Sequence, residues 1–241
     1  MVCLGNQNPT IDTERALLKS TVVNHLAANR GDLAYQNLKA QLLSGAFSPG
    51  STLSTYHLAA ELGISRTPIS QALKRLEDEG FVEIIPQVGC RVVQPTPARV
   101  VEVFVLRAVL EGLAAEIAAQ RITAPDIQAF EHILQAGEAA IRQNDSGAYS
   151  LINKQFHTLI VTICGMTTLE ELLDKFTDFS RYCMVNHPFF SQARMAISSQ
   201  EHRAIVDALM TRDSVKARRL LEIHLRQTGE AFSCFLAEQQ S

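Results

Sequence analysis

The segment from Gly50 to Val93 constrains the fold of this 241-residue chain more than any other part of it. Its apolar spacing predicts a short helix, a tight turn at Gly63 and a second helix with Ser65 as its N-cap. Gly63 suits the turn because glycine adopts the left-handed backbone that ends a helix at little steric cost. Two β-branched runs follow, and Pro86–Gly89 joins them as a hairpin. A helix-turn-helix with a hairpin behind it is a winged helix.

The second of these helices is predicted to have a polar face with no acidic residue between Ser65 and Leu76. A helix that carries an arginine at its positive dipole end suits an anionic partner, and in a winged helix it enters the major groove of DNA. Two packed core helices would explain the helix-turn-helix alone, but not the hairpin and the acid-free face together. The residues predicted to contact DNA are Ser65, Arg66, Thr67, Ser70, Gln71 and Lys74 on the helix, and Gln87, Gly89 and Arg91 at the wing.

The same segment closely resembles the winged-helix domain of the GntR family of bacterial transcription regulators, through Ser65–Ile69, Ala72–Leu73, Leu76, Glu79–Val82, Gly89 and Val92. The resemblance implies double-stranded DNA as a partner and makes Arg66 the best-supported contact. Ser70 stands where many members carry arginine, and Thr55 and Tyr56 stand where charged residues are usual. Because those family positions include DNA contacts, the resemblance adds Tyr56 to the expected interface. It also implies an operator that can differ from the family's usual half-site.

Composition sets the class of protein. A net charge of −3 does not by itself indicate nucleic-acid binding, but a small DNA-binding domain on a larger acidic domain has this balance. The five cysteines are scattered without a Cys-x-x-Cys pair, which favours reduced thiols over a disulfide framework. No apolar run reaches the roughly twenty residues of a membrane span, and no export signal is evident at the start. We expect a cytoplasmic protein with no membrane partner.

The chain divides into four predicted regions. Residues 1–30 form a leader, with a disordered start and a possible extra helix over 11–28. Residues 31–94 form the winged helix, whose first helix is expected from Asp32, as its cap, to Ser44. Residues 95–99 form a linker, because prolines at 95 and 97 interrupt regular structure. Residues 100–238 form the remaining domain, so the fold class is mainly α: a winged helix-turn-helix domain followed by an all-α ligand-binding bundle.

This second domain is predicted to contain about six helices, because every periodic segment after Ala98 has helical spacing. Later helices are expected at about 148–163, 198–210 and 214–236, the last capped by Asp213. The stripe expected to face the core of its first helix is Val103, Leu106, Leu110, Leu113 and Ile117.

Three histidines, His157, His202 and His224, lie on three different predicted helices and on or near their apolar sides. Asn153 precedes His157 by one helical turn and shares its face. A single inward histidine is usually a hydrogen-bonded core residue. Three together favour a metal site with nitrogen ligands, because neutral imidazole suits zinc and similar divalent ions.

This half of the chain resembles the all-α C-terminal domain of the FadR branch of the GntR family, known as the FCD domain. The matching residues are Phe156–His157, Glu201–His202 and His224, while Asn153 stands where an aspartate is more usual. The resemblance implies a divalent metal held by Asn153 and the three histidines, with zinc first and nickel or manganese as alternatives. An amide oxygen brings no charge, so metal affinity should fall and a bound anion becomes more important.

In such domains a small carboxylate often ligates the metal and pairs with nearby arginines. Arg107 and Glu111 match a recurring family pair, so Arg107 is a candidate to hold the effector, with Arg181 as a weaker second candidate. An ion pair between Arg107 and Glu111 within their helix is an equal alternative.

The sequence therefore predicts a dimeric, ligand-responsive transcription regulator, a repressor rather than an enzyme. Two winged helices would bind a pseudo-palindromic operator, and a small organic acid beside the metal would control them. One alternative is a repressor for which the ion itself is the signal. A histidine-metal hydrolase is a weaker alternative, because Asn153 occupies the nearby position where a general base would serve.

Overall fold

The computed structural model of the protein describes residues 30–87, 89–187 and 189–239. The predictions for the disordered start and for the extra helix over 11–28 lie outside the described residues. The chain divides into two compact units. One contains residues 30–42 and Gly50–Val93, and the other contains Leu43–Pro49 and the chain from Gln94 onward. As described, the molecule is mainly helical, as the sequence predicted.

The first unit is a winged helix. Its elements are α1 (30–43), β1 (Thr52–Leu53), α2 (Thr55–Leu62), α3 (Arg66–Asp78), β2 (Val82–Ile85) and β3 (Gly89–Val92). The predicted hairpin is β2 and β3, which pair antiparallel with Val82 opposite Val92. A short strand that the sequence did not reveal, β1, pairs with the other side of β3 and gives the order β1-β3-β2.

The predicted turn of the winged helix is confirmed in its local geometry. The Ser54 hydroxyl accepts a hydrogen bond from the His57 amide and caps α2, and Gly63 ends this helix with φ of 63°. Ser65 occupies the N-cap of α3 in an extended conformation, although its side chain makes no capping hydrogen bond. The apolar face of α3, including Ile69 and Leu76, is buried in the core of this unit.

Asp32 does not cap α1, so that prediction was wrong. The helix is already formed at residue 30 and continues through Gly31 despite the low helix propensity of glycine. The Asp32 carboxylate instead accepts a hydrogen bond from Arg75 of α3 at 2.6 Å.

The second unit is an all-α bundle of six helices. They are α4 (Pro97–Arg121), α5 (Ala124–Gln143), α6 (Ser146–Cys164), α7 (Thr167–Val185), α8 (Gln192–Met210) and α9 (Ser214–Gln239). Thr96 caps α4 and Pro97 takes its first position, so the last three residues of the predicted linker 95–99 are helical. Asp213 caps α9 by accepting from the Lys216 amide at 3.0 Å, as predicted. None of the helices in the described part of the chain is long and apolar enough to cross a membrane.

Helix α4 turns a different face to the core from the one predicted. Val103 is buried, but Leu106 is 40% exposed and Leu110, Leu113 and Ile117 are only partly buried. The inner face instead consists mostly of small residues, including Ala108 and Ala115, which are fully buried. Small side chains allow α9 to pack closely along α4, where Gly112 contacts Glu222 and Gly229 contacts Phe104.

Helix α8 begins six residues before its predicted start at Ser198. Ser191 caps it by accepting from the Arg194 amide at 3.3 Å. This additional turn and a half matters because it brings Arg194 into the bundle.

Candidate functional site

Three histidines from three helices meet inside the bundle. His157 of α6, His202 of α8 and His224 of α9 are all buried, and each offers one ring nitrogen. These ligand atoms lie within 4.8 Å of one another, and the ring centroids are 4.8 to 5.4 Å apart. Three neutral imidazoles at this spacing are a donor set that suits zinc and related divalent ions.

Two carboxylates orient two of these rings. Glu111 of α4 accepts from His157 Nδ1 at 2.6 Å, and Glu201 of α8 accepts from His224 Nδ1 at 2.7 Å. Because an ionised carboxylate only accepts, Nδ1 of each ring carries the proton and Nε2 keeps its lone pair. A carboxylate bound to the far nitrogen of a metal-ligating histidine is the usual outer shell of such a site.

Phe156 orients the third ring. It stacks on His202 with centroids 3.8 Å apart and an interplanar angle of 12°. His202 Nε2 is buried and has no hydrogen-bond partner among the described residues. A buried nitrogen without a partner is costly unless something binds it, so this atom fits a metal ligand.

Electrostatics keep the cluster in the protonation state that binds a metal. Burial lowers the pKa of His157 to about 4 and lowers the pKa of His202 well below its usual value. Burial would raise the pKa of Glu111, but the nearby Arg107 and His157 outweigh it and lower that pKa to about 2. His157 and His202 are therefore neutral and the Glu111 carboxylate is charged at neutral pH.

Arg107 is tied to this cluster through Glu111. Its Nε donates to Glu111 Oε1 at 2.7 Å, and both side chains are buried. The sequence left two roles open for Arg107, binding of the effector and an ion pair with Glu111, and the structure contains the ion pair. One guanidinium nitrogen of Arg107, Nη2, remains buried with no hydrogen-bond partner in the part of the chain that the structure describes.

The other predicted residues of this site are less closely connected. Asn153 lies on α6 one turn before His157 and is partly buried. Arg181 of α7 is partly buried, and no hydrogen bond between described residues links it to the histidines. Its Nε is also buried and has no hydrogen-bond partner in the described ranges.

Sequence reasoning missed a second arginine and its partners. Arg194 Nη2 donates to Glu201 Oε2 at 3.3 Å and to Thr228 Oγ1 at 2.7 Å. One sequence signal could have found them, a series of polar residues that recurs every four positions before two of the histidines. It leads from His202 through Ser198 to Arg194, and from His157 through Asn153 to Tyr149.

The predicted DNA-contacting surface is exposed in the first unit. All the residues of α3 and its N-cap that were predicted to contact DNA are exposed: Ser65, Arg66, Thr67, Ser70, Gln71 and Lys74. Tyr56 is 69% exposed. At the wing, Gln87, Gly89 and Arg91 are exposed as well. Lys74 is bound by acids of its own helix, Glu77 at 2.7 Å and Asp78 at 3.6 Å.

A winged helix joined to an all-α bundle with a buried polar centre defines a class of protein, the DNA-binding regulator with a sensor domain. Residues 31–92 match the family of bacterial regulatory proteins called the gntR family, and residues 102–227 match the FCD domain. The chain belongs to the GntR family of transcription regulators, with an FCD domain as its second unit. This is a family of regulators rather than enzymes.

Similar proteins agree with this assignment along most of the chain. The HTH-type transcriptional regulator YdhC of Bacillus subtilis is 26% identical over 205 residues, which cover 85% of this chain and 91% of that protein. The HTH-type transcriptional repressor GlaR of Escherichia coli is 26% identical over 200 residues, covering 79% of this chain and 90% of that protein. The structure of Escherichia coli McbR/YncC has the same fold, with a TM-score of 0.74 at 23% identity over 88% of this chain and 99% of that one.

Proposed function

We propose that the protein is a homodimeric repressor whose DNA binding is controlled by a small organic acid bound beside a divalent metal in the FCD domain. The single observation that carries this proposal is the cluster of three buried histidines, two of them held by carboxylates through Nδ1. A bundle core does not need three buried histidines at its centre, one of them with a nitrogen that has no partner among the described residues. A metal and its ligand account for them.

The charge balance of the cluster favours an anionic effector. The three histidines and Asn153 are neutral ligands, while Glu111 and Glu201 are each paired with an arginine. A divalent ion would therefore bring two positive charges that its surroundings do not compensate. A carboxylate ligand on the ion would supply negative charge where it is lacking, and the spare N–H of Arg107 would hold it further. Zinc suits this donor set best, with nickel and manganese as alternatives.

DNA binding is assigned to the exposed face of α3, to Tyr56 and to the wing. Arg66 leads the helix at its positive dipole end and is exposed, so it would make the first phosphate or base contact. Two copies would place two such helices on the half-sites of a pseudo-palindromic operator. Effector binding would shift the equilibrium between two arrangements of the dimer, for which about 1–3 kcal/mol of coupling is enough.

The exposed side of α4 supports a dimer. Leu106 and Val109 are 40% and 45% exposed, and they lie with Leu110, Leu113 and Ile117 on one side of the helix. An aliphatic surface of this kind on a globular unit marks an interface, and a second copy of the same face would cover it. The ion pair between Glu116 and Arg218 at its border offers both charges to a partner related by two-fold symmetry.

Thermal melting with a panel of small carboxylates tests the effector proposal. The full-length protein is measured with zinc and after stripping with EDTA. We expect one class of carboxylate to raise the melting temperature and to weaken DNA binding only when zinc is present. Stabilisation that survives stripping would remove the metal from the mechanism. No response to any carboxylate would refute the organic-acid effector.

A metal-responsive repressor is the alternative, and Asn153 favours it. An amide in place of a carboxylate weakens metal binding, so occupancy would follow the supply of the ion. DNA binding that changes with zinc or EDTA but not with any carboxylate would support this alternative.

A further inference from the structure

A row of polar side chains, called the polar file below, extends from the histidine cluster between α6, α8 and α9. On α8 the file consists of His202, Ser198 and Arg194, four residues apart on one side of the helix. On α6, Tyr149 lies two turns before His157 and in the same direction. Thr228 of α9 reaches the same end, since its hydroxyl accepts from Arg194 at 2.7 Å.

At the far end of this file, two buried donors have no acceptor among the described residues. Arg194 Nε and the Tyr149 hydroxyl are both buried and make no hydrogen bond of good geometry with any residue in the described ranges. Ser198 acts on the Tyr149 phenol as a hydrogen-bond donor, which lowers its pKa against the rise caused by burial, while Arg194 and Glu201 act on it through their charges. The phenolic hydrogen of Tyr149 is therefore still without an acceptor among the described residues. Buried donors without an acceptor are costly, so they indicate that a further group accepts from them.

This end is also close to the cluster. The same oxygen of Glu201, Oε2, binds Arg194 Nη2 at 3.3 Å and His224 Nδ1 at 2.7 Å. Glu111 connects Arg107 to His157 in a similar way, because its carboxylate accepts hydrogen bonds from both side chains. The histidines are thus flanked on two sides by a guanidinium that is one carboxylate away. Each guanidinium keeps one buried nitrogen, Nη2 of Arg107 and Nε of Arg194, that has no hydrogen-bond partner among the described residues.

We propose that Arg194 and Tyr149 form a second anchoring point of the effector site, and that the effector is a small dicarboxylic acid. One carboxylate would bind at the metal and Arg107, and the other would accept from Arg194 Nε and the Tyr149 hydroxyl. The polar file with Ser198 and Thr228 provides a hydrogen-bonding wall between the two ends. This inference rests on the proposed effector site and narrows its ligand to one chemical class.

The test compares dicarboxylates with monocarboxylates of equal chain length. Succinate, glutarate and adipate are titrated calorimetrically against butyrate, valerate and hexanoate on the zinc-loaded full-length protein. We expect the dicarboxylate of at least one length to bind about tenfold or more tightly than its partner, because a charge-assisted hydrogen bond is added. Tyr149→Phe and Arg194→Gln should lower the dicarboxylate affinity severalfold or more and thereby reduce its preference over the monocarboxylate. Arg203→Gln, on the same helix but bound to Glu131, should leave both unchanged.

The outcomes separate this inference from the proposed function. Equal binding of the two acids, or a preference that survives Tyr149→Phe, would overturn the second anchor and leave an organic-acid effector standing. Failure of every acid to bind would refute both. Arg194→Gln also touches the Glu201–His224 pair, so its zinc content is measured. Tyr149 makes no hydrogen bond to Glu201 or His224 in the described structure, so Tyr149→Phe remains decisive if the arginine variant loses zinc.

Discussion

At the residue scale, the site depends on groups other than the three histidines. Sequence spacing located His157, His202 and His224, because each histidine sits on the apolar side of its own helix. It did not reveal that Glu111 binds His157, since the two lie 46 residues apart and on different helices. Contacts between helices depend on packing angles and side-chain rotamers, which no periodicity within one helix encodes.

Replacing Glu201 by glutamine should weaken zinc binding about 10- to 100-fold. The amide would still hold the His224 ring, but it would no longer raise the basicity of the imidazole by its charge. Competition with a chromophoric chelator measures the affinity. Glu131→Gln is the control, because Glu131 pairs with Arg203 and not with the histidines. Equal affinities of wild type and Glu201→Gln would contradict the outer-shell role.

The metal-free protein should lose stability between pH 7 and pH 5. His157 has a pKa of about 4 when folded, against about 6.5 for an unperturbed histidine. Below the unfolded pKa of about 6.5, the unfolded chain binds more protons at this histidine than the folded chain does. The free energy of unfolding therefore decreases as the pH is lowered, and the loss is complete near the folded pKa of about 4. Between pH 7 and pH 5, this histidine alone accounts for a loss of about 2 kcal/mol in the free energy of unfolding.

Urea unfolding at several pH values in EDTA measures this dependence. His157→Gln should flatten it, whereas His132→Gln should not, because His132 is exposed. The same slope in wild type and His157→Gln would show that this imidazole is not held neutral by burial.

At the element scale, α4 shows why a correct helix was assigned the wrong buried face. Apolar residues occur all round it, with leucines on one side and alanines on the other. The stripe of large side chains looked like the core, but the small ones let α9 approach more closely. Periodicity finds helices reliably and can fail to choose between two apolar faces. The start of α8 was missed for a related reason, since its first six residues carry few large apolar side chains.

Substituting the two glycines where α4 meets α9 should have unequal effects. A Cβ on Gly229 would overlap the Cβ of Phe104, which can move only with its backbone. A Cβ on Gly112 would meet Glu222 Cγ at 2.6 Å, which belongs to a flexible side chain. We expect Gly229→Ala to lower the free energy of unfolding by about 1–3 kcal/mol. Gly112→Ala should cost less, because the Glu222 side chain can move aside, while the helix-propensity gain of about 1 kcal/mol is common to both substitutions. Urea denaturation measures both, and equal losses would contradict close packing at Phe104.

At the scale of the whole molecule, the composition conceals two units with different tasks. A net charge of −3 describes the chain but not the acid-free stretch of α3. The motif around Ser65 made the DNA-binding unit predictable, because its turn and caps are local signals. The proposed association of two copies depends on no local signal, and the exposed side of α4 became visible only in the folded unit.

Leu106→Glu should separate the dimer. A carboxylate placed in an apolar interface loses its hydration without a partner, so we expect dimer affinity to fall about hundredfold or more. Light scattering measures the mass, and binding to an operator selected with the wild-type protein measures the function. Leu172→Glu on α7 is the control, because Leu172 is similarly exposed outside that stripe. A dimer that survives Leu106→Glu would place the interface elsewhere.

Arg66→Ala should weaken DNA binding and reduce the slope of log affinity against log salt by about one. The reason is that one fewer phosphate contact releases one fewer counterion. Fluorescence anisotropy over a range of salt concentrations measures the slope. Arg142→Ala provides a matched control on α5, where the arginine is exposed and belongs to the other unit. An unchanged slope for Arg66→Ala would contradict a phosphate contact at this residue.

Two of the three basic residues of α3 are already engaged by the protein itself. Lys74 binds Glu77 and Asp78, while Arg75 binds Asp32 and lies over the ring of Tyr35. Attraction to DNA of arbitrary sequence depends on free cations, so this helix has little to offer it. We expect the regulator to leave unrelated stretches of the chromosome quickly. A short residence time on unrelated DNA shortens the search for the operator. Occupancy of the operator then depends on contacts to its bases more than on charge.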